Sequence, residues 1–384
     1  MKNSRIRTGL FLLYPVYEII QAPFIYITSW ALDSGFREDL LSILIGISFA
    51  AAFAGQFLWG ILSDRLRSTW KIFLLCMVLS AIDFAVVWFA RSDAVFAVSY
   101  SLLGLFVSPM LSIMDAWALD LLDYEGSAFG NARSIGAAGF AAAMLGMGYA
   151  IRFFGYVMIP LIAVSFSLIA FAIGMALPDK KADRSTAQGM SAADFKAIMQ
   201  ARGFLFLMVI IFLLGLTIAP PNNLKIMLIQ QAGGDVSVMG VDNFIGYAVQ
   251  AAMFAVAGHL HPQRPYLMFA VFILMTSAGL ISAAFAANIW MIFLSTLLIY
   301  AAWSVQITLL RQIIASMVPE RFHTTAISIS DAAFTQLSGF IGLAGGGVVL
   351  GMFNLKVLML LCVAVSLLSF GLMLILAARQ KQAE

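Results

Sequence analysis

"FLWGILSDRLRSTWKIFL", residues 57–74, breaks an apolar run at Gly60, sets Asp64, Arg65, Arg67 and Lys71 in quick succession, and then turns apolar again. The composition says what solvent surrounds such a stretch. Of the 384 residues 62% are hydrophobic and 11% charged, with a mean hydropathy of +0.98, where soluble chains are roughly half apolar and a quarter charged. The charges therefore mark a turn at a bilayer surface, and the fold follows from the runs on either side of it. Each apolar segment approaches the ~20 residues that an α-helix needs to cross ~30 Å of hydrocarbon, whereas a β-barrel shows short alternating strands. The chain reads as an all-α, polytopic membrane protein. Cys76 and Cys362 both lie in apolar segments, which excludes a disulfide framework. The first apolar run is long enough to span and no A-x-A-like site follows it, so no cleaved signal is expected.

Gly, Pro and charge clusters divide the sequence into about twelve spans: 8–32, 41–62, 71–90, 95–122, 132–151, 156–177, 203–231, 237–259, 266–286, 289–314, 325–350 and 355–378. The longest polar connection, "PDKKADRSTAQGMSAADFKAIMQAR" at 178–202, separates two sets of six. The expected organisation is an N-terminal six-helix bundle over 1–178, a cytoplasmic linker over 179–202 and a C-terminal six-helix bundle over 203–384, a duplicated six-helix unit. Twelve spans put both termini on one side. With the termini inside, that side holds Lys2, Arg5, Arg7, Arg65, Arg67, Lys71, Lys180, Lys181, Arg184, Lys196, Arg202, Arg264, Arg321, Arg379 and Lys381, while the other holds Arg37, Arg91, Arg152 and Lys356. Both termini are thus expected in the cytoplasm, with the chain in a bacterial inner membrane and the lipid bilayer as its partner. The net charge of +3 follows from this asymmetry; no basic domain offers itself to nucleic acid.

The opening turn resembles a loop signature of the major facilitator superfamily of transporters, G-x-L-x-D-R/K with further basic residues. Gly60, Leu62, Asp64, Arg65 and Lys71 match, and Arg67 departs where the signature usually has a second glycine. From the residues alone, Gly60 allows close helix approach and Asp64 can sit near or cap a helix N-terminus. The corresponding turn of the second half, "GHLHPQRP" from Gly258, keeps the glycine and Arg264 but has Pro262 in place of the acid. In the superfamily this loop is a latch between conformational states, so the resemblance implies a gating role for Gly60, Asp64 and Arg65.

Two further stretches narrow the family. "MDAWALDLLDYEGSAFGNARSIGAAGF", residues 114–140, resembles helices four and five of the lactose permease-like oligosaccharide/nucleoside:proton symporters, and "ERFHTTAISISDAAFTQLSGF" from Glu320 resembles their helix eleven. The resemblance implies that Asp115 and Arg133 grip a sugar on which Phe140 stacks, and that the fold is the major facilitator fold of about twelve helices in two six-helix pseudo-repeats. In that branch the proton sits on a helix-ten carboxylate beside a histidine, with an arginine on helix nine and a lysine on helix eleven. Span 10 here has neither acid nor histidine, and the helix-eleven lysine position reads Thr335. His259, His261 and His323 fall at cytoplasmic ends and read as loop residues.

A proton route must then use other acids. An ionised carboxylate inside the membrane costs a few kcal/mol unless it is paired or faces a wet cavity, so each acid in a span is a candidate. Glu18 lies mid-span between Tyr14, Tyr17 and Gln21; Asp115 pairs with Arg133; Asp83 and Asp331 have packing readings of equal weight; Asp120, Asp123 and Glu125 are placed in a wet loop. Burial favours a neutral carboxyl and a nearby guanidinium the ionised one, so motion of Arg133 between states switches proton affinity. Glu18 is taken as the proton carrier with Asp115 and Arg133 as solute grip, and Asp115 as carrier is the alternative.

In the second half, Asn222, Asn223 and Lys225 follow an expected helix break at Pro220-Pro221, then come Asn243, Tyr247 and Gln250, Trp303 and Gln306, and Gln336. Amides and aromatics hydrogen-bond hydroxyls and stack on rings, which suits a neutral or zwitterionic solute better than a phosphate ester; they also hold helices together. Gly345, Gly346 and Gly347 read as a packing or bending site. No HExxH, GxSxG or P-loop is present, so an enzyme and an ATP-driven pump are excluded and no cofactor or metal is expected. The reading is a secondary transporter, working as a monomer by alternating access, that takes up a small polar solute such as a sugar, glycoside or nucleoside together with protons. A proton-coupled efflux antiporter for hydrophobic compounds is the alternative.

Overall fold

The computed structural model describes residues 2–90, 92–122, 126–179, 192–257, 260 and 262–381. Arg91, Asp123, Glu125, Lys180, Lys181, Arg184, Gly258, His259 and His261 lie outside them, as does most of the expected linker. The described residues form helices and no strand, and the chain divides into two compact units, Met1–Ala187 and Gln188–Glu384.

The first unit holds α1 (Lys2–Asp33), α2 (Glu38–Leu66), α3 (Thr69–Phe89), α4 (Asp93–Phe106), α5 (Met110–Leu121), α6 (Gly126–Phe154) and α7 (Met158–Ala176). The second holds α8 (Ala192–Gln200), α9 (Phe204–Asn223), α10 (Lys225–Gln231), α11 (Val236–Ala257), α12 (Pro265–Ala284), α13 (Ile289–Met317), α14 (His323–Asp331), a π-helical turn Ala332–Leu337, α15 (Ser338–Met352) and α16 (Leu355–Lys381). Eleven spans among the described residues are long and apolar enough to cross a membrane, with α4–α5 and α14–α15 each counted as one. The 22-residue α11 is the twelfth element of that length; Asp242, Asn243 and Gln250 lower its hydropathy.

The two units repeat one packing plan. In the first, α1 packs along α6 and α7, α2 along α4, and α3 along α4 and α7. In the second, α9 packs along α15 and α16, α11 along α13, and α12 along α13 and α16. Numbered as spans, one to six and seven to twelve pair in the same order, which is the duplicated unit expected from sequence.

Several spans are less continuous than the sequence suggested. The fourth turns at 107–109 ahead of α5, and the seventh breaks at Leu224 rather than at its prolines. Pro220 and Pro221 stay inside α9, where their missing N–H donors would have met carbonyls one turn earlier, and the turn after them is closed by the Leu224 N–H on the Pro220 carbonyl at 2.8 Å. The polar stretch 179–202 contains α8, whose Ile198 is fully buried.

The turn at 57–74 corrects two local expectations. A Cβ at Gly60 meets nothing within 4 Å, whereas one at Gly55 lies 2.8 Å from the Leu105 carbonyl and from Pro109. The close approach of α2 to α4 and α5 is therefore at Gly55. Nor does Asp64 cap α3. It lies in the last turn of α2, and the cap is Ser68, whose Oγ accepts from the Lys71 N–H at 3.2 Å and donates to Asp179 at 2.9 Å. Arg67 ends α2 in the left-handed region, at φ 50° and ψ 34°, the position at which the superfamily signature has glycine. Gly345 likewise sits in open space, and α15 instead meets α9 at Gly342 and Gly215.

Candidate functional site

In the first unit, glycines let α6 lie against α1. A Cβ at Gly139 would be 2.8 Å from Pro15 Cβ, and one at Gly136 would be 3.1 Å from Tyr14 Cβ and 3.5 Å from Glu18 Cγ. Arg133, one turn before Gly136, is thereby carried to α1 and α5. Its Nη1 is 3.5 Å from Glu18 Oε1 and its Nε is 3.6 Å from Asp115 Oδ2. Tyr14 donates to the other oxygen of Asp115 at 2.7 Å, and its ring meets Phe129 edge-on at 6.4 Å. One arginine thus bridges both acids. These are ion pairs at long range, not tight hydrogen bonds, and the Arg133 side chain is 40% exposed while Glu18 and Asp115 are 11% and 24% exposed. The guanidinium is accessible to a ligand; the two carboxyls are largely shielded.

Below this cluster, Gln21 donates to Tyr17 at 2.5 Å and Tyr17 to the Val107 carbonyl at 2.6 Å, tying α1 to the end of α4. Phe140 lies two turns beyond Arg133, on the same face of α6, and is half-buried. Asp83 is apart from this cluster, between α3 and α4. Asp120 belongs to the last turn of α5 and is half-buried rather than in a loop.

The second unit contains a cluster that the sequence reading missed. Lys225, the first residue of α10, is 2.7 Å from Asp242 Oδ2, and both side chains are shut off from solvent. Thr296 donates to the same oxygen at 2.9 Å, Lys225 also donates to Asn243 at 3.3 Å, and its Nζ lies over the Tyr300 ring at 5.1 Å. Tyr300 stands edge-on to Tyr247 at 5.4 Å and to Trp303 at 6.0 Å. Asp242 Oδ1, Asn243 Nδ2 and Trp303 Nε1 are buried without a hydrogen-bond partner among the described residues. Lys225 was read as a polar interior residue, but Asp242 was passed over, although an acid inside the run 237–259 carries the same signal that singled out Glu18.

The remaining expected residues are dispersed. Gln306 is fully buried and donates to Thr276 of α12 at 3.0 Å, which makes it a tie between α12 and α13. The Gln250 carbonyl accepts from Ser304 at 3.3 Å, and Asn222 is half-buried at the end of α9. Asp331 is exposed at the end of α14 and interacts with Arg311 of α13. His323 opens α14 with Nε2 2.9 Å from the Val318 carbonyl.

Residues 5–376 match the family described as the MFS_1 like family. The maltose permease of Geobacillus stearothermophilus is 26% identical over 337 residues, 86% of this chain and 84% of the permease. Among solved structures, the nucleoside transporter NupG superposes with a TM-score of 0.86 at 13% identity, covering 97% of this chain and 98% of that one. A bacterial homologue of the human lysosomal transporter Spinster superposes with a TM-score of 0.76 at 13% identity, over 98% of this chain and 97% of that one.

Proposed function

Since the chain belongs to the MFS_1 like family of membrane transporters, we propose that it couples the uptake of a neutral, polyhydroxylated solute to protons by alternating access, with Arg133, Glu18 and Asp115 as its working centre. The observation that carries this reading is the charge count of that cluster. Two acids share one arginine at 3.5 and 3.6 Å, so the fully ionised cluster holds an excess negative charge in a poorly hydrated place, and one bound proton cancels it. In the second unit Lys225 and Asp242 balance each other one to one. The first unit is therefore where a proton is needed, and Glu18, the more shielded acid, is assigned as its carrier.

The solute class rests on the same balance. Arg133 is the accessible cation of the cluster, and its fork of donors suits a diol; Lys225 is spoken for by Asp242 and Asn243, which leaves little to hold a phosphate ester. The relatives agree with a sugar or nucleoside, one being named a maltose permease and another a nucleoside transporter. Phe140 on the Arg133 face supplies a ring-stacking surface, Tyr247 and Trp303 supply a second in the other unit, and the turn containing Gly60, Asp64 and Arg65 is assigned to gating.

The test is purified full-length protein in liposomes, with maltose, other glycosides and nucleosides as solutes and an internal pH dye as readout. Solute addition is expected to drive protons in, and an inward proton gradient is expected to drive accumulation. Solute entry with no proton movement makes the protein a uniporter; protons leaving as solute enters make it an antiporter.

A further inference from the structure

α3 and α4 enclose an open groove of about 630 Å³, within the ~300–1,000 Å³ range of small-ligand sites. Its walls are mostly apolar, and Ile82 and Val86 of α3 with Val95 and Val98 of α4 are exposed there, as residues facing acyl chains are. Asp83 departs from that pattern. It lines the groove at 5% exposure together with Ser99 of α4, and its Oδ2 has no hydrogen-bond partner among the described residues. Among the described residues, no Lys, Arg or His lines the groove. A groove that only solvates lipid tails has no use for an acid, and a purely structural tie between the helices would be met by Ser99 with an amide.

We propose that the α3–α4 groove is a binding site for a membrane-dissolved amphiphile bearing an ammonium group on a single alkyl chain. The ammonium supplies what the site lacks, a positive charge and hydrogen-bond donors for Asp83 Oδ2, with Ser99 as a further acceptor. Asp83 lies six residues before the end of α3 at Phe89, about 9 Å along the axis, a depth from which a charged head stays near the interface while its chain runs inward past Leu79, Leu102 and Phe106. The site is separate from the Arg133 cluster and does not depend on the transport reading.

The test compares photoactivatable dodecylamine, dodecanol and dodecanoic acid on the full-length protein in phosphatidylcholine vesicles, with labelled peptides located by mass spectrometry. The amine is expected to label residues 79–106 saturably, at least about tenfold more tightly than either analogue, a factor equal to 1.4 kcal/mol. Asp83→Asn is expected to bring the amine down to the level of the alcohol, and Val98→Trp, which fills the groove, to abolish labelling by all three. Should Asp83→Asn not fold, competition on the wild-type chain decides: unlabelled amine must displace the probe at concentrations at which alcohol does not. Equal labelling by the three probes, or an amine preference that survives Asp83→Asn, overturns the proposal and leaves ordinary lipid solvation.

Discussion

Arg133 faces two acids on two other helices with two different nitrogens of one planar fork, Nη1 toward Glu18 and Nε toward Asp115, and lysine, of similar reach, has a single ammonium in place of that fork. Arg133→Lys keeps the charge but contacts one partner at a time, so solute binding is expected to weaken at least about tenfold, by 1.4 kcal/mol or more. Thermal-shift titration with a transported solute reads this, and wild-type affinity in the variant would move the site elsewhere. The buried pair of the second unit makes a different prediction. Asp242→Asn leaves the Lys225 ammonium buried without its counter-charge, at a cost of about 3–5 kcal/mol, whereas Lys225→Met combined with Asp242→Leu removes both charges and recovers most of that loss. Unfolding of the detergent-solubilised protein distinguishes them; a double variant as unstable as the single one shows that the pair's hydrogen bonds, not its charge, hold α10 to α11. Glu18, Asp115 and Arg133 were each legible as costly residues in apolar runs. That one guanidinium spans both acids was not, since helical periodicity orders residues around one axis and is silent on which faces of three helices meet.

At the level of the element, the spans were legible because a bilayer leaves the chain almost no choice: each run long enough to cross must satisfy its own backbone, so the apolar length sets the helix. Interruptions within spans were not, because a π-helical turn at Ala332–Leu337 or a break at Leu224 depends on neighbouring helices that re-satisfy the freed backbone groups. The α2–α3 turn is an intermediate case. The sequence marks Arg67 as the departure from a glycine-bearing pattern, and the backbone shows why glycine suits that place: φ is +50°. An L-residue there costs roughly 1–2 kcal/mol that glycine avoids. Arg67→Gly is accordingly expected to raise the thermal stability of the first unit by up to about 1 kcal/mol after the added freedom of the unfolded glycine is subtracted. A lower melting temperature in that variant means that the Arg67 side chain, exposed at the membrane surface, contributes more than its backbone costs.

For the molecule as a whole, the proposed coupling requires that solute and proton be tied to one cycle, and the charged clusters of the two units differ. The second unit's intramembrane pair is closed and neutral; the first unit's cluster is open and short of one positive charge. Placing the proton on Glu18 makes the cluster neutral with Arg133 still paired to Asp115, so in the proposed cycle the loaded cluster itself holds no unbalanced charge. Glu18→Gln fixes that neutral arrangement permanently. Such a variant is expected to exchange labelled for unlabelled solute across a liposome membrane at a rate within a fewfold of wild type, because exchange needs no deprotonation, and to lose accumulation driven by a pH gradient, because accumulation does. Both activities are measured in the same vesicles, which separates a coupling defect from a folding or binding defect: a misfolded protein loses both. Retained accumulation in Glu18→Gln removes Glu18 as the carrier and assigns the proton to Asp115, whose carboxyl faces the same guanidinium from the other side; Asp115→Asn must then show the exchange-only behaviour instead.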